Sequence, residues 1–226
     1  MVLAFRKQLV PKTKKTLISA RKAPVQARSA RLVADILEAA ARVLAPAGAR
    51  RFTTERVAEE AGVSIGSLYQ YFPSKEALLF RLQTDEWNET WGVVEEILGN
   101  AALAPLDRLR KAVLTFFRSE QQEAALRTAL DDAGALFRDA PEAQTFLEHA
   151  RASVAKFFEE VLPAASTRER TFAAEVVLTA MGATAEKVTA QGLDRRTVDE
   201  WAKSCAEMYC AYLESINRRA EPRKPR

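Results

Sequence analysis

The residues from Phe52 to Lys75 constrain the fold of this chain more than any other stretch of its sequence. Two threonines precede a short segment with helical periodicity, and a threonine there can cap a helix through its side-chain oxygen. Gly62 then predicts the end of this helix, because glycine adopts the left-handed conformation that a tight turn needs. Ser64 is the predicted cap of a second helix, which ends before Pro73 because proline disfavours helical conformation in the preceding residue. Two short helices joined by a glycine turn are a helix-turn-helix, here over residues 53–72.

The second helix of this motif has two chemically different sides. The side predicted to face the protein interior carries Ile65, Leu68, Tyr69 and Phe72. The side predicted to face outward carries Gly66, Ser67, Gln70 and Tyr71. These outward groups are small or polar, so they can approach phosphates and base edges without a bulky clash.

The motif resembles the DNA-binding domain of the TetR family of bacterial transcriptional regulators. The similarity covers residues 28–82, and its matching blocks are Thr53-Thr54, Val57-Ala58, Ala61-Gly62-Val63-Ser64, Leu68-Tyr69, Tyr71-Phe72 and Ser74 to Leu79. The resemblance implies a duplex contacted by Ser64, Gly66, Ser67, Tyr69, Tyr71 and Lys75, with Thr53 and Thr54 on its backbone. Gln70 is a further candidate, because its amide can pair with an adenine edge. A surface glutamine without a base contact is the alternative. For Tyr69 the alternative is a ring in the hydrophobic core, and one ring can take both roles.

Charge is unevenly distributed along the 226 residues. Residues 1–75 carry 14 basic and 5 acidic side chains, whereas residues 76–226 carry 20 basic and 25 acidic ones. A basic N-terminal third and a mildly acidic remainder predict a nucleic-acid-binding end followed by a domain with a second role.

Residues 1–27 are predicted to be a flexible basic arm, because they contain 7 lysines and arginines and no acidic residue. Two interpretations of this arm are open. It contacts the DNA backbone, or it is a solubilising tail without contacts. A transit peptide is a third, which the bacterial type of the following motif disfavours. No apolar run is long enough for a transmembrane helix, and the N-terminus lacks the apolar core of a signal peptide. We therefore expect a cytoplasmic protein without a membrane partner.

Helical periodicity continues through the rest of the chain, which predicts an all-α fold. A first helix over residues 28–47, ended by Gly48, completes a three-helix DNA-binding domain over residues 28–75. A linking helix from Ser74 to about Leu98 leads into a helical ligand-binding and dimerisation domain over residues 76–219. Residues 220–226 are predicted to be a disordered tail.

Aromatic side chains are dense in the second domain and can line an apolar cavity for a hydrophobic small molecule. The predicted pocket residues are Trp87, Trp91, Phe116, Phe117, Phe137 and Phe157. The alternative is that most of these rings fill the core. The resemblance implies a pocket in this domain, but it does not identify the lining residues.

A homodimer is expected from operator geometry, because one domain of this size contacts only a few base pairs. Two domains on paired half-sites contact the further base pairs that a specific operator needs. The last helix carries an apolar stripe formed by Val198, Trp201, Cys205, Met208 and Tyr212. The resemblance favours this stripe as part of a four-helix interface between two chains. An intrachain core is the alternative reading of the same stripe.

Catalytic chemistry has little support in the sequence. The single histidine, His149, lies beside Glu148 and Arg151, and the two cysteines, Cys205 and Cys210, have no metal-ligand spacing and no activating neighbour. We expect no enzyme activity, no metal and no cofactor. The predicted function is a ligand-responsive DNA-binding regulator, a repressor released from its operator by a small hydrophobic effector. An activator or an effector-independent repressor is the alternative, and a helical enzyme or an interaction module is a remote one.

Overall fold

The structure is a computed structural model in which residues 27–124 and 140–220 are described. The predicted arm up to residue 26, the pocket candidate Phe137 and the tail from residue 221 lie outside these residues. The described part of the chain consists of helices without a β-strand, and the all-α prediction is confirmed. The helices are α1 (Ala27–Arg51), α2 (Thr54–Glu60), α3 (Ile65–Tyr71), α4 (Lys75–Gly99), α5 (Pro105–Gln122), α6 (Pro141–Val161), α7 (Thr167–Thr189) and α8 (Arg195–Ala220).

Helix α1 packs on α2, and α2 packs on α3, so the predicted three-helix arrangement is present. The side chains of Ile36, Leu44, Val57 and Leu68 are fully buried between them. Each such side chain contributes about 1.5–3 kcal/mol through removal of apolar surface from water. The predicted end of α1 before Gly48 is wrong, because the helix continues to Arg51. A glycine inside a helix costs only about 1 kcal/mol, so it does not by itself end one.

Helix α4 begins as its sequence predicts, with the Ser74 hydroxyl accepting a hydrogen bond from the Ala77 N–H at 3.2 Å. It contributes residues to two compact units. The first unit contains the described residues 27–88 and 140–144, and the second contains residues 89–124 and 145–220. The functional domain boundary expected after Lys75 remains a prediction.

In the second unit α8 packs on α5 and α7, and α5 packs on α7. Ion pairs reinforce the contact between α5 and α8: Arg118 Nη2 lies 2.7 Å from Asp199 Oδ2, and Arg110 Nε lies 2.8 Å from Glu207 Oε1. These arginines lower the pKa of the Asp199 and Glu207 carboxyls by donating hydrogen bonds to them.

The start of α7 differs by one residue from the sequence prediction. Thr167 is the cap expected from the sequence, whereas Ser166 is the capping residue and Thr167 is the first helical residue. The Ser166 hydroxyl accepts from the Glu169 N–H while the Glu169 carboxylate accepts from the Ser166 N–H. This reciprocal pair is a capping box, with Ser166 as the N-cap and Glu169 as its partner three residues later.

Among the described residues, no helix combines the length and the apolar character needed to cross a bilayer.

Candidate functional site

The turn between α2 and α3 has the geometry that its sequence predicts. Thr53 caps α2, because its hydroxyl accepts from the Arg56 N–H at 3.3 Å. Gly62 has a φ of 65°, a backbone conformation that residues other than glycine rarely adopt. The Ser64 hydroxyl accepts from the Ser67 N–H at 3.1 Å and starts α3. These local contacts fix the direction of α3 on α2.

Helix α3 is oriented by two buried side chains, Leu68 and Phe72, with relative exposures of 0% and 1%. At 100° per residue, Gly66 and Gln70 lie on the opposite side, and both are exposed. The outward-facing prediction is therefore confirmed for Gly66 and Gln70. Tyr71 is half-buried on one flank of the helix, and so is Ser67.

The other flank of α3 corrects the sequence prediction. Ile65 is predicted to face the interior, but it is 39% exposed. Tyr69, for which the sequence left a duplex contact and a ring in the core both open, is also 39% exposed. Tyr69 lies about 80° around the helix from the mean direction of Leu68 and Phe72, whereas Ile65 lies only about 40° from it but is the first residue of this seven-residue helix. Ile65 is consequently an apolar surface group on the helix predicted to read DNA. The predicted interior position of Ile65 is wrong because it rests on the hydrophobicity of the side chain alone.

Thr54 also differs from its predicted position on the duplex backbone. Its relative exposure is only 6%, which removes it from any external phosphate. The Thr54 and Tyr69 hydroxyls share a hydrogen bond, with 3.0 Å between the oxygens. Thr54 therefore orients Tyr69, and Thr53, which is exposed, is the threonine available to a ligand.

Lys75 stands at the first residue of α4 and is half-buried. Its ammonium nitrogen lies 5.9 Å from the centroid of the Phe52 ring, at the outer limit of a cation–π contact.

A small apolar cavity lies in the second unit, with a volume of about 30 Å³. Its walls come from α4, α5, α6 and α7 and are formed by Trp91, Val94, Leu98, Leu109, Ala112, Phe116, Val154, Phe157, Phe158, Val177, Leu178 and Met181. A molecule larger than a few atoms requires displacement of these walls. The indole N–H of Trp91 is buried, and within the described ranges no atom accepts a hydrogen bond from it.

The predicted pocket residues separate into three groups. Trp91, Phe116 and Phe157 line the cavity. Trp87 and Phe117 are buried but do not line it, so their rings belong to the core. Phe137 lies outside the described residues. Lining residues from α7, including Val177 and Met181, were missed because their spacing is equally compatible with core packing.

The residues of the predicted stripe on α8 lie on two different faces of the helix, one buried and one exposed. Val198 and Cys205 are buried within the chain, whereas Trp201 and Met208 are 46% and 56% exposed. Tyr212 is half-buried between these extremes. Helix α7 adds two further exposed apolar side chains, Phe172 and Val176. The interface prediction thus cannot hold for Val198 and Cys205, while Trp201, Met208 and Tyr212 remain candidates.

His149 and Ser153 both contact the Glu95 carboxylate on α4. His149 Nε2 lies 3.1 Å from a Glu95 oxygen, and the Ser153 hydroxyl donates to the other. The Ser153 bond, followed by the His149 contact, lowers the pKa of Glu95. The histidine is not placed between the serine and the acid, so this trio lacks the order that activates a nucleophile.

The two cysteines are buried, and burial raises the pKa of both thiols. A protonated, buried thiol is a poor nucleophile. In the described part of the chain, no cluster of three or more histidine, cysteine, aspartate or glutamate side chains could hold a metal ion.

Two family profiles match this chain. The profile described as "Bacterial regulatory proteins, tetR family" matches residues 36–82, and "Tetracyclin repressor-like, C-terminal domain" matches residues 104–216, half of the chain. The chain belongs to the TetR family. TetR-family regulators are transcription factors and not enzymes, and this chain matches the profiles of both their domains.

Two curated relatives are similar to part of this TetR-family chain. The "HTH-type transcriptional repressor KstR2" of Mycolicibacterium smegmatis is 28% identical over 108 residues, covering 48% of the chain and 52% of the relative. The "Nucleoid occlusion factor SlmA" of Glaesserella parasuis is 32% identical over 117 residues, covering 50% of the chain and 51% of the relative. The chain thus spans about half the length of these curated relatives.

Among solved structures, the regulator FadR from Bacillus subtilis in complex with stearoyl-CoA has the same fold. Its TM-score is 0.62 at 17% sequence identity, covering 79% of this chain and 98% of FadR. This likeness confirms the predicted fold, an N-terminal helix-turn-helix domain followed by a helical domain.

Proposed function

We propose that this TetR-family regulator is a homodimeric repressor that a small apolar effector releases from its operator. The observation that carries this proposal is that α4 contributes residues both to the cavity and to the unit that contains α1–α3. Trp91, Val94 and Leu98 in its second half line the cavity, and its first half belongs to the unit that contains α1–α3. An effector that displaces the cavity walls therefore moves a helix continuous with the DNA-binding unit. Such an effector lowers operator affinity if it binds the displaced state more tightly.

The relatives support the two parts of the proposal separately. KstR2 is named a transcriptional repressor, and FadR was solved with stearoyl-CoA, a molecule with a long apolar chain. The cavity walls of the present chain are apolar, as such a chain requires. Because it acts on bacterial DNA, we place the protein in the cytoplasm.

The proposed DNA surface consists of the exposed side of α3 and the residues beside it. It comprises Thr53, Ser64, Gly66, Ser67, Tyr69, Gln70, Tyr71 and Lys75, with Ile65 as an addition and without Thr54. Gln70 suits an adenine edge, and the apolar Ile65 suits a thymine methyl group.

Gel-shift titration with the DNA upstream of the protein's own coding sequence tests the function. A repressor binds one sequence in this DNA far more tightly than unrelated DNA, and an apolar effector weakens the complex. An effector-independent repressor would bind without responding to any apolar compound, and an activator would raise transcription from the bound promoter. Equal affinity for all DNA would contradict the proposed operator.

We expect Gly66→Ala to weaken operator binding by about tenfold while leaving the fold intact. In the described structure, a Cβ at residue 66 meets no atom closer than Ser64 Oγ at 3.9 Å, so the protein itself does not require glycine. The absence of a side chain at Gly66 instead leaves room for the duplex to approach. A methyl group there would disturb a close contact with a base, and a specific base contact is worth about 1–3 kcal/mol. Gel shifts measure the affinity, and thermal unfolding measures the stability.

Gly92→Ala is the matched control for this substitution. Gly92 lies within α4, and a Cβ there meets no described atom within 4 Å. Both alanines favour their helices by up to about 1 kcal/mol. If the two variants bind the operator equally well, the duplex does not approach Gly66.

We expect Thr54→Val to reduce operator affinity severalfold with little loss of stability. Valine preserves the shape of Thr54 but removes the hydroxyl that holds Tyr69, and the exposed Tyr69 hydroxyl can then turn to water. Tyr69→Phe should cause a similar or larger loss, and the double variant should bind no worse than Tyr69→Phe alone, as expected for one shared contact. Additive losses in gel shifts would show that Thr54 acts independently of Tyr69.

A further inference from the structure

We propose that the effector is an apolar carboxylic acid whose carboxylate binds Arg108, next to the cavity wall. This inference rests on the proposed effector role of the cavity. It adds the chemistry of the ligand's polar head, which the apolar walls alone leave undefined.

Arg108 is a buried cation next to the cavity, with a side-chain exposure of 4%. On α5 it lies one turn before the lining residue Ala112 and directly before the lining residue Leu109. The centre of its guanidinium is 5.5 Å from the centroid of the Phe157 ring, which is also part of the wall. The guanidinium therefore packs against the wall residue Phe157 without lining the cavity itself, and a ligand head reaches it when this wall is displaced.

The hydrogen bonds of Arg108 are incomplete. Its Nη1 donates to the Leu98 carbonyl at 2.6 Å, and its Nη2 donates to Glu160 Oε2 at 2.5 Å. The Nε–H is buried, and no described residue accepts a hydrogen bond from it. An unpaired buried donor is costly, particularly on a charged group, so this atom favours an additional acceptor.

Arg108 Nε, on the side chain that packs against Phe157, and Nε1 of the wall residue Trp91 have no hydrogen-bond partner among the described residues, and both are donors. A ligand head that only accepts hydrogen bonds fits them better than one that also donates. A carboxylate is such a head, and its two oxygens match the fork of a guanidinium. A neutral amide of the same shape keeps one acceptor oxygen and replaces the other by an NH₂ donor.

Glu160 makes the exchange of one carboxylate for another possible. It is 45% exposed, whereas Arg108 is buried, so Glu160 lies on the solvent side of the pair. It can turn into water when a ligand carboxylate takes its place. The buried guanidinium then keeps a negative partner throughout, which avoids the large cost of an unpaired buried charge.

Calorimetric titration of the 226-residue protein at pH 7.5 with octanoate and with octanamide tests this inference. The two probes share an apolar chain and differ in the head group. We expect octanoate to bind at least about tenfold more tightly, as a charged hydrogen bond in a buried site implies. Arg108→Met should abolish this preference. Arg110→Met, two residues along α5 with its partners Asp107 and Glu207, should retain it.

Glu160→Gln is a second test, in which the expected change in octanoate affinity has the opposite sign. It does not depend on whether Arg108→Met folds. Removing the competing carboxylate should strengthen octanoate binding by about threefold or more and leave octanamide unchanged. A purely structural pair predicts equal or weaker octanoate binding in this variant, which would overturn the inference. Equal wild-type affinities for the two probes, or no octanoate binding, would also overturn it. Gel shifts without either probe test operator binding separately, so the proposed regulator can stand while this ligand class fails.

Discussion

Replacing Trp201 by alanine is expected to dissociate the dimer and to abolish tight operator binding with it. Trp201 is 46% exposed on α8, and Met208 lies two turns further along the same face. On α7, Phe172 and Val176 are exposed one turn apart. Two helices that pack on each other thus expose four large apolar side chains to water, and such exposed apolar groups are typical of an interaction surface. We propose that a second copy of the chain covers it.

The size of the expected effect follows from two-fold symmetry. Truncation of a central interface tryptophan typically costs about 2 kcal/mol or more, and a symmetric dimer contains two copies. The dimer dissociation constant should therefore rise on the order of a thousandfold. Operator affinity should fall as well, although α3 is unchanged, because a single DNA-binding unit reads only one half-site.

Sedimentation at micromolar concentration measures the dissociation, and circular dichroism confirms the helical fold. Val93→Ala is the control, because Val93 has the same 46% exposure but lies on α4. It should remain dimeric. A Trp201→Ala protein that sediments as a folded dimer would exclude Trp201 from the interface.

Phe117→Ala is expected to lower the free energy of unfolding by about 3–5 kcal/mol without changing effector binding. Phe117 is completely buried, but the cavity does not touch it. Truncation leaves an internal void that the surrounding side chains fill only in part. For a chain of this size the melting temperature should fall by roughly 6–20 °C.

Phe116→Ala provides the contrast, because Phe116 is equally buried and lines the cavity. Its loss of stability should be similar, but the enlarged cavity should change the affinity for an apolar ligand such as octanamide by about tenfold. Thermal unfolding and calorimetric titration of both variants separate the two effects. If Phe117→Ala changes ligand affinity as much as Phe116→Ala does, the cavity walls are assigned incorrectly.

The helix-turn-helix could be predicted from the sequence because its determinants are local. Thr53, Gly62 and Ser64 act on backbone groups within three residues of themselves, through hydrogen bonds and through a backbone conformation. Such interactions do not depend on the rest of the fold. The local rule failed at Gly48, where a weak helix breaker lies within a longer helix.

The roles of individual side chains in the candidate site could not be predicted in this way. Thr53 and Thr54 are neighbours of the same residue type, yet one is exposed and the other is buried against Tyr69. Ile65 has an apolar side chain but lies at the surface. In both cases the packing of α3 on α2 decides the outcome, and composition does not.

The sequence by itself determined the family, the all-α fold and the position of the DNA-binding motif, since these depend on local signals and helical periodicity. Only the tertiary structure decided which face of each helix is covered. On α8, Trp201 and Met208 lie roughly 60–80° around the helix from Val198, so one apolar stripe crosses the edge of the buried face. Periodicity fixes the angle between residues on one helix, but contacts with α5 and α7 determine which angles are buried. The same reason separates Phe116, at the cavity, from its neighbour Phe117 in the core.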